Sequence, residues 1–149
     1  MAATQTLFSC IAEHMARSTV DMDNDPAFCV LLSSAYTPGT TTHVKLADVI
    51  ANEIAAGNGY VANGVAVTVG VTRVGALTTI TCTDPVWVAT GGDIPAFRYG
   101  VVYINVTRNG VVNPLVSWIL GDGTPADVPI TVSGATLRLR VNAAGLYTT

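Results

Sequence analysis

Apolar positions gather most densely between Pro95 and Gly121, PAFRYGVVYINVTRNGVVNPLVSWILG, in two apolar runs joined by a polar turn. In an extended strand Phe97, Tyr99, Val101 and Tyr103 share one face. Arg98, Val102 and Ile104 share the other, with Gly100 between them. Successive side chains of a strand point to opposite faces, so two apolar faces put this strand between two packed layers. Thr107-Arg108-Asn109-Gly110 supplies a turn, and Asn-Gly favours a hairpin because both residues tolerate positive φ. The chain then returns through Leu115, Val116, Trp118, Ile119 and Leu120. The pattern predicts a central hairpin that the remaining chain covers.

Upstream, Leu7, Phe8, Ile11 and Met15 follow a 3.6-residue period and predict a helix over residues 4–17. Thr4 or Thr6 would cap it, and Glu13 and Arg17 would pair at i,i+4 on its outer side. Asp21–Pro26 reads as a loop and Ala27–Leu32 as a strand. Ser33–Thr40 is a second loop with a Pro38-Gly39 turn. Val44–Ile54 suits a short helix better than an extended arm. Gly57-Asn58-Gly59-Tyr60 breaks it, with positive φ expected. Further strands are expected at 64–69, 77–82, 86–88, 129–132 and 137–141. In the last, Leu137, Leu139 and Val141 face in while Arg138 and Arg140 face out. Trp87 is expected to fill core volume.

These elements predict one mainly β domain over residues 1–149. It is expected to be a β-sandwich or partly closed barrel of about seven or eight strands with an N-terminal helix and a possible second short helix. The helical segment (1–20) would lie on the sheet and residues 27–149 would form the β domain. A chain of 149 residues is long enough to build such a core without staples.

Composition then narrows the function. Charged residues are 11% of the chain, against about 25% in ordinary globular domains, and mean hydropathy is +0.47. Such a chain spans a membrane or hides its surface in an assembly. No window of about 18 apolar residues is uninterrupted, and alternation is not sustained over enough strands for an outer-membrane barrel. The assembly reading remains. A net charge of −3, with Lys45 the single lysine, argues against nucleic acid as a partner. Cys10, Cys29 and Cys82 are odd in number, lack metal-type spacing and read as small buried hydrophobes. No basic region followed by an apolar run opens the chain, so synthesis in a reducing cytoplasm is expected.

Candidate chemistry is sparse. Asp21, Asp23 and Asp25 match the first ligand positions of a calcium loop. Pro26 replaces the required Gly and Leu32 the bidentate Glu, so a solvated turn is the better reading. Gly57–Gly64 lacks the strand-to-helix setting and the Lys-Ser/Thr pair of a phosphate loop. His14 and His43 have no neighbours at ligand spacing, and no serine sits in a Gly-x-Ser-x-Gly elbow. Both histidines are expected at the surface or as caps. No catalytic residue, cofactor site or metal site is assigned, and no enzyme is expected. Arg98, between Phe97 and Tyr99, is expected to be buried and to need a partner, Asp84 or Asp93, or else a neighbouring subunit.

The ordered set of motifs resembles a group of small structural proteins encoded near the head genes of tailed bacteriophages. The matching features are a D-x-D-x-D turn before a strand (Asp21, Asp23, Asp25), a loop carrying Ser34, Tyr36, Thr37 and Pro38 with His43 downstream, and a break at Gly57, Gly59 and Tyr60. Next come a strand with Arg98, Tyr99, Val101 and Tyr103, then Pro114, Leu115 and Gly121. The likeness spans nearly the whole chain. It departs at Ala35, an insertion inside the loop, and in the C-terminal segment.

The resemblance implies a virion protein without catalysis, a head decoration or cement protein. It would bind the outside of the assembled capsid, often as a homotrimer, with the major capsid protein and itself as partners. The loops Ser33–His43 and Gly121–Val128 are the candidate contacts. Rival readings are a tail-tube or connector subunit, and a virion-surface adhesin using Tyr36, Tyr60 and Tyr147.

Overall fold

The computed structural model describes residues 4–122 and 126–141, together with the backbone of 147–148. The chain is mainly β. Strand β2 (Ala27–Leu32) is apolar at every position and packs on both faces. Its neighbour is the strand expected to be central, β7 (Tyr99–Ile104), which pairs antiparallel with β10 (Leu115–Leu120). With β1 (Thr4–Leu7) and β3 (Val65–Val67) they form a five-stranded sheet in the order β1-β10-β7-β2-β3.

Period-two alternation divides the core across this sheet. Cys29, Leu31, Val102, Ile104 and Ile119 face one cluster, and Val30, Leu32, Val101, Tyr103 and Leu115 face the other. The first cluster is covered by smaller sheets, which makes the architecture a sandwich. One is the hairpin β4 (Val69–Val74) and β5 (Leu77–Cys82), to which β12 (Tyr147–Thr148) adds. The other pairs β6 (Val86–Val88) with β11 (Thr136–Arg138). The second cluster is covered by residues 33–52 and the start of helix α1 (Cys10–Ala16). Gly100 on β7 leaves the gap that Leu139 fills: a Cβ there would run into the Leu139 Cδ2 methyl.

The turn between β7 and β10 carries its own small ladder, β8 (Thr107–Arg108) and β9 (Val111–Val112). Asn109 (φ 52°) and Gly110 (φ 79°) close it with two positive-φ residues, as the sequence predicts. Pairing shifts between Leu115 and Ser117, a bulge that leaves Ser117 fully buried.

That buried serine explains the first correction. Residues 4–17 do not form one helix. Thr4–Leu7 is a strand paired with β10, and the Gln5 side-chain amide donates to Ser117 Oγ at 2.9 Å. Two β-branched threonines suit a strand, and the pairing satisfies a hydroxyl that would otherwise be orphaned. The helix starts only at Cys10. Neither Thr4 nor Thr6 caps it, while Glu13 and Arg17 do pair at 2.8 Å.

Other elements also differ. Val44–Ile54 forms two single 3₁₀ turns, Leu46–Asp48 and Ile50–Asn52, not one helix. The expected strand at 64–69 is broken at Thr68 and continues as β4, which folds back through Gly75 (φ 61°). Pro129–Val132 makes one isolated bridge, Ile94 with Thr131. Strands exceed the expected number because several are two or three residues long. The last expected strand is shorter, Thr136–Arg138, although Leu137 and Leu139 are buried and Arg138 and Arg140 exposed as the alternation predicts; Trp87 is in the core. No helix among the described residues is long and apolar enough to cross a membrane.

Candidate interaction surfaces

The loop expected to contact a partner, Ser33–His43, is held by aromatic packing. Tyr36 is buried and meets Tyr99 edge-on at 5.4 Å between centroids, and Tyr99 meets Trp118 edge-on at 6.0 Å. His43 packs on Tyr36 and its Nδ1 accepts the Gly39 N–H at 3.2 Å, with the Tyr36 hydroxyl 3.1 Å away. Trp118 Nε1 donates to Thr40 Oγ1, and Thr40 O accepts both the amide and the hydroxyl of Ser9. Burial pushes the Tyr36 phenol up to about 12. The exposed part of this loop is polar or small: Ser34, Ala35, Thr37, Thr41 and Thr42. In the other candidate loop, residues 123–125 lie outside the described set.

Arg98 pairs with neither Asp84 nor Asp93. Its Nε donates to Asp127 at 2.8 Å across a partly exposed contact, because Phe97 and Val128 form a bridge that brings the 127–128 segment alongside. Asp84 instead accepts the Val141 amide, and Asp93 the Ser133 amide. Leu32 O and the Gly121 amide bond the Arg98 backbone.

The acidic turn closes on itself. Asp21 accepts the amides of Asp23 and Asn24 and the Asn24 side chain, and Asp25 accepts the Asp21 amide. The Asn24 side-chain amide, followed by the Asp23 amide, holds the Asp21 carboxyl below its ordinary 3.8. Asp25 departs from a solvated turn: its side chain is 10% exposed and takes two hydrogen bonds of 2.9 Å from Arg108. Among the described residues no three His, Cys, Asp or Glu side chains converge on a metal position.

The Gly57–Tyr60 break is a tight turn with three positive φ values (131°, 56° and 94°). It delivers Tyr60 into the core, where its hydroxyl donates to Glu53 Oε1 at 2.7 Å and accepts the Leu31 amide at 3.0 Å. Tyr36 and Tyr60 therefore offer nothing at the surface to an adhesin, and the Tyr147 side chain lies outside the described residues. His14 is also not at the surface: it is buried, with Nε2 3.2 Å from Val44 O. Cys10 and Cys29 are buried, and Cys82 is half-buried rather than fully so. Desolvation pushes the Cys10 thiol up to about 11 and Cys82 to about 12, and raises Cys29 as well. All three are held as thiols.

The feature the sequence did not single out is an arm. From Val71 to Leu77 every residue of the β4–β5 hairpin is exposed, with Val74 at 80% and Leu77 at 47%. Val74 and Leu77 are paired and share one face, while Val71 and Ile80 share the other. Beneath that second face lies a groove of about 590 Å³, walled across from the arm by Met15, Ser18, Val20, Asp21, Met22 and Arg108. Val61, Val88, Ile130 and Val132 are further exposed aliphatics. Comparison of the chain with models of known protein families, with curated proteins and with solved structures finds no match.

Proposed function

We propose that this chain is a non-enzymatic virion structural protein: a decoration or cement protein of a tailed-phage head. It is made in the host cytoplasm and binds the outer face of the assembled capsid. Copies associate with one another, as a homotrimer, and bridge neighbouring major capsid subunits. The observation that supports this best is the coincidence of 11% charged residues with large aliphatics left at the surface of a well-packed fold, Val74 and Leu77 above all. Apolar side chains projected on an arm are a liability to a lone molecule and an anchor to an assembled one. Weak contacts repeated over a lattice sum to firm attachment by avidity. A copy that spans two shell subunits resists the expansion driven by packaged DNA.

The test is to mix purified protein with undecorated phage shells, then measure co-sedimentation and the temperature of shell disruption. The expected result is saturable binding and a raised disruption temperature. Absence of binding overturns the cement role, and a large ring or tube by native mass moves the assignment to a tail component.

A further inference from the structure

We propose that the pocket between the end of helix α1 and the β8–β9 turn binds one saccharide unit, with His14 and Thr19 as its inner hydrogen-bonding groups. The inference goes beyond the structural role above and does not depend on it.

The pocket measures about 470 Å³, a size that suits a small ligand. Glu13, His14, Arg17 and Thr19 form one side; Val44, Asn109 and Val111 form the other. The inner wall follows from the way α1 stops. Ser18 takes a positive φ of 53°, its amide donates to Met15 O, and the Thr19 amide donates to His14 O at 2.8 Å. This closure sets Thr19 against His14, a pair of positions where an apolar contact usually seals the helix end. Here they carry a hydroxyl and an imidazole, in residues only 1% and 3% exposed. Polar groups placed where the local rule asks for apolar ones point to a site.

The fold leaves both groups a free position. Among the described residues, Trp87 Nε1 is the one side-chain nitrogen or oxygen that is both sealed from solvent and unpartnered. The Thr19 hydroxyl has no partner within the protein, so it must reach solvent, and the space beside Thr19 is this pocket. His14 follows the same logic. Val44 O can only accept, so His14 Nε2, 3.2 Å away, carries the ring proton. In the neutral imidazole Nδ1 is then an acceptor, and it too opens on the pocket without a protein partner.

The remaining lining selects the ligand. Asn109 Nδ2 donates to Arg17 O at 2.9 Å, which leaves its Oδ1 as a further acceptor. Glu13 and Arg17 pair at 2.8 Å, so the rim offers donors and acceptors but no net charge. Val44 and Val111 add aliphatic surface. An anion would meet the carbonyl end of the helix, which disfavours negative charge. A cation would find no uncompensated carboxylate. A neutral ring of hydroxyls fits: it donates to His14 Nδ1 and Asn109 Oδ1, exchanges hydrogen bonds with Thr19 and Arg17, and lays its C–H face on the valines.

The test is to titrate the ¹⁵N-labelled full chain separately with the methyl glycosides of glucose, galactose, mannose and N-acetylglucosamine, and with butylammonium chloride as a cationic probe. At least one glycoside is expected to shift the amides of Thr19, Val44 and Asn109 saturably while those of β4 and β5 stay still. Thr19→Val removes a hydroxyl the fold does not use. It is expected to keep the wild-type melting temperature and to weaken glycoside binding at least about threefold. The proposal is overturned if none of the four glycosides gives a saturable shift, or if butylammonium binds in their place. It is also overturned if Thr19→Val binds like the wild type, or if it melts well below the wild type, which would assign the hydroxyl to the fold. Glycoside binding by a protein that ignores phage shells would leave this site standing and remove the decoration role.

Discussion

Asp25 and Arg108 stand 83 residues apart in the chain and meet through two parallel hydrogen bonds of 2.9 Å each. The pair ties the acidic turn before β2 to the small ladder that joins β7 to β10. Asp25 is the less exposed member, so removing its partner strands a carboxylate in poor solvent contact. Arg108→Ala is expected to destabilise the fold by about 2 kcal/mol. Asp25→Asn should cost less, because the amide still accepts one of the two bonds. Chemical denaturation of the two variants beside the wild type checks the order.

Tyr60 gives a sharper case. Its hydroxyl both donates to Glu53 and accepts the Leu31 amide in the core. Tyr60→Phe keeps the ring and leaves the Leu31 N–H without its partner. The expected loss is about 1–3 kcal/mol, and native-state hydrogen exchange should speed up at Leu31 and remain unchanged on β10.

Two glycines with positive φ should respond differently to alanine. At Gly59 (φ 94°) the new Cβ would strike the Val88 carbonyl oxygen, whereas at Gly110 (φ 79°) nothing lies within 4 Å. Gly110→Ala carries the left-handed backbone cost alone, about 1–2 kcal/mol. Gly59→Ala adds a backbone collision, for a total of about 3 kcal/mol or more. Thermal melts that rank the two equally would refute the crowding at Gly59.

Alkaline pH should unfold the protein before it ionises its buried phenols. Cys10 rises from 9.0 to about 11, and Tyr36 and Tyr103 rise from 10.0 to about 12, in each case chiefly by desolvation. The fold holds these protons more tightly than the unfolded chain does. Their contribution is complete below the ordinary values and disappears as pH climbs through the raised ones. Melting temperature should therefore fall steadily between pH 9 and 12. On the acid side Asp21 and Asp48 act in the opposite sense: stability present above 3.8 is lost as pH drops through their lowered values. Thiol labelling at neutral pH should find Cys10 and Cys29 silent until the chain unfolds, with Cys82 reacting slowly.

The central strands were legible because β2 and β7 are apolar on both faces, and because Asn109-Gly110 names its own turn. The N-terminus departs from its helical period for a physical reason. Leu7, Phe8, Ile11 and Met15 do fit a helical stripe, but Leu7 ends a strand and Ile11 lies in the helix, so the stripe bridges two elements. What decides between them is a strand partner, β10, more than 100 residues away, which no local period can reveal. Arg98 shows the same limit. The need for an acid was readable, but its identity as Asp127 depended on the bridge between Phe97 and Val128. The arm leaves no mark in the sequence, because Val69–Val74 alternates no more strongly than a covered strand does. Exposure of both its faces is a property of where the chain lies, not of its letters.

The order of strands in the large sheet has a consequence for synthesis. On the ribosome β2 emerges early, while its hydrogen-bonding neighbour β7 arrives only after two-thirds of the polypeptide has been made. Until then an uncharged apolar ribbon, Ala27–Leu32, waits without a mate in a crowded cell. Pairings this distant in sequence form slowly and expose sticky intermediates. Overproduction should therefore be limited by aggregation of nascent chains, with cooler growth or holding chaperones raising the yield of folded protein.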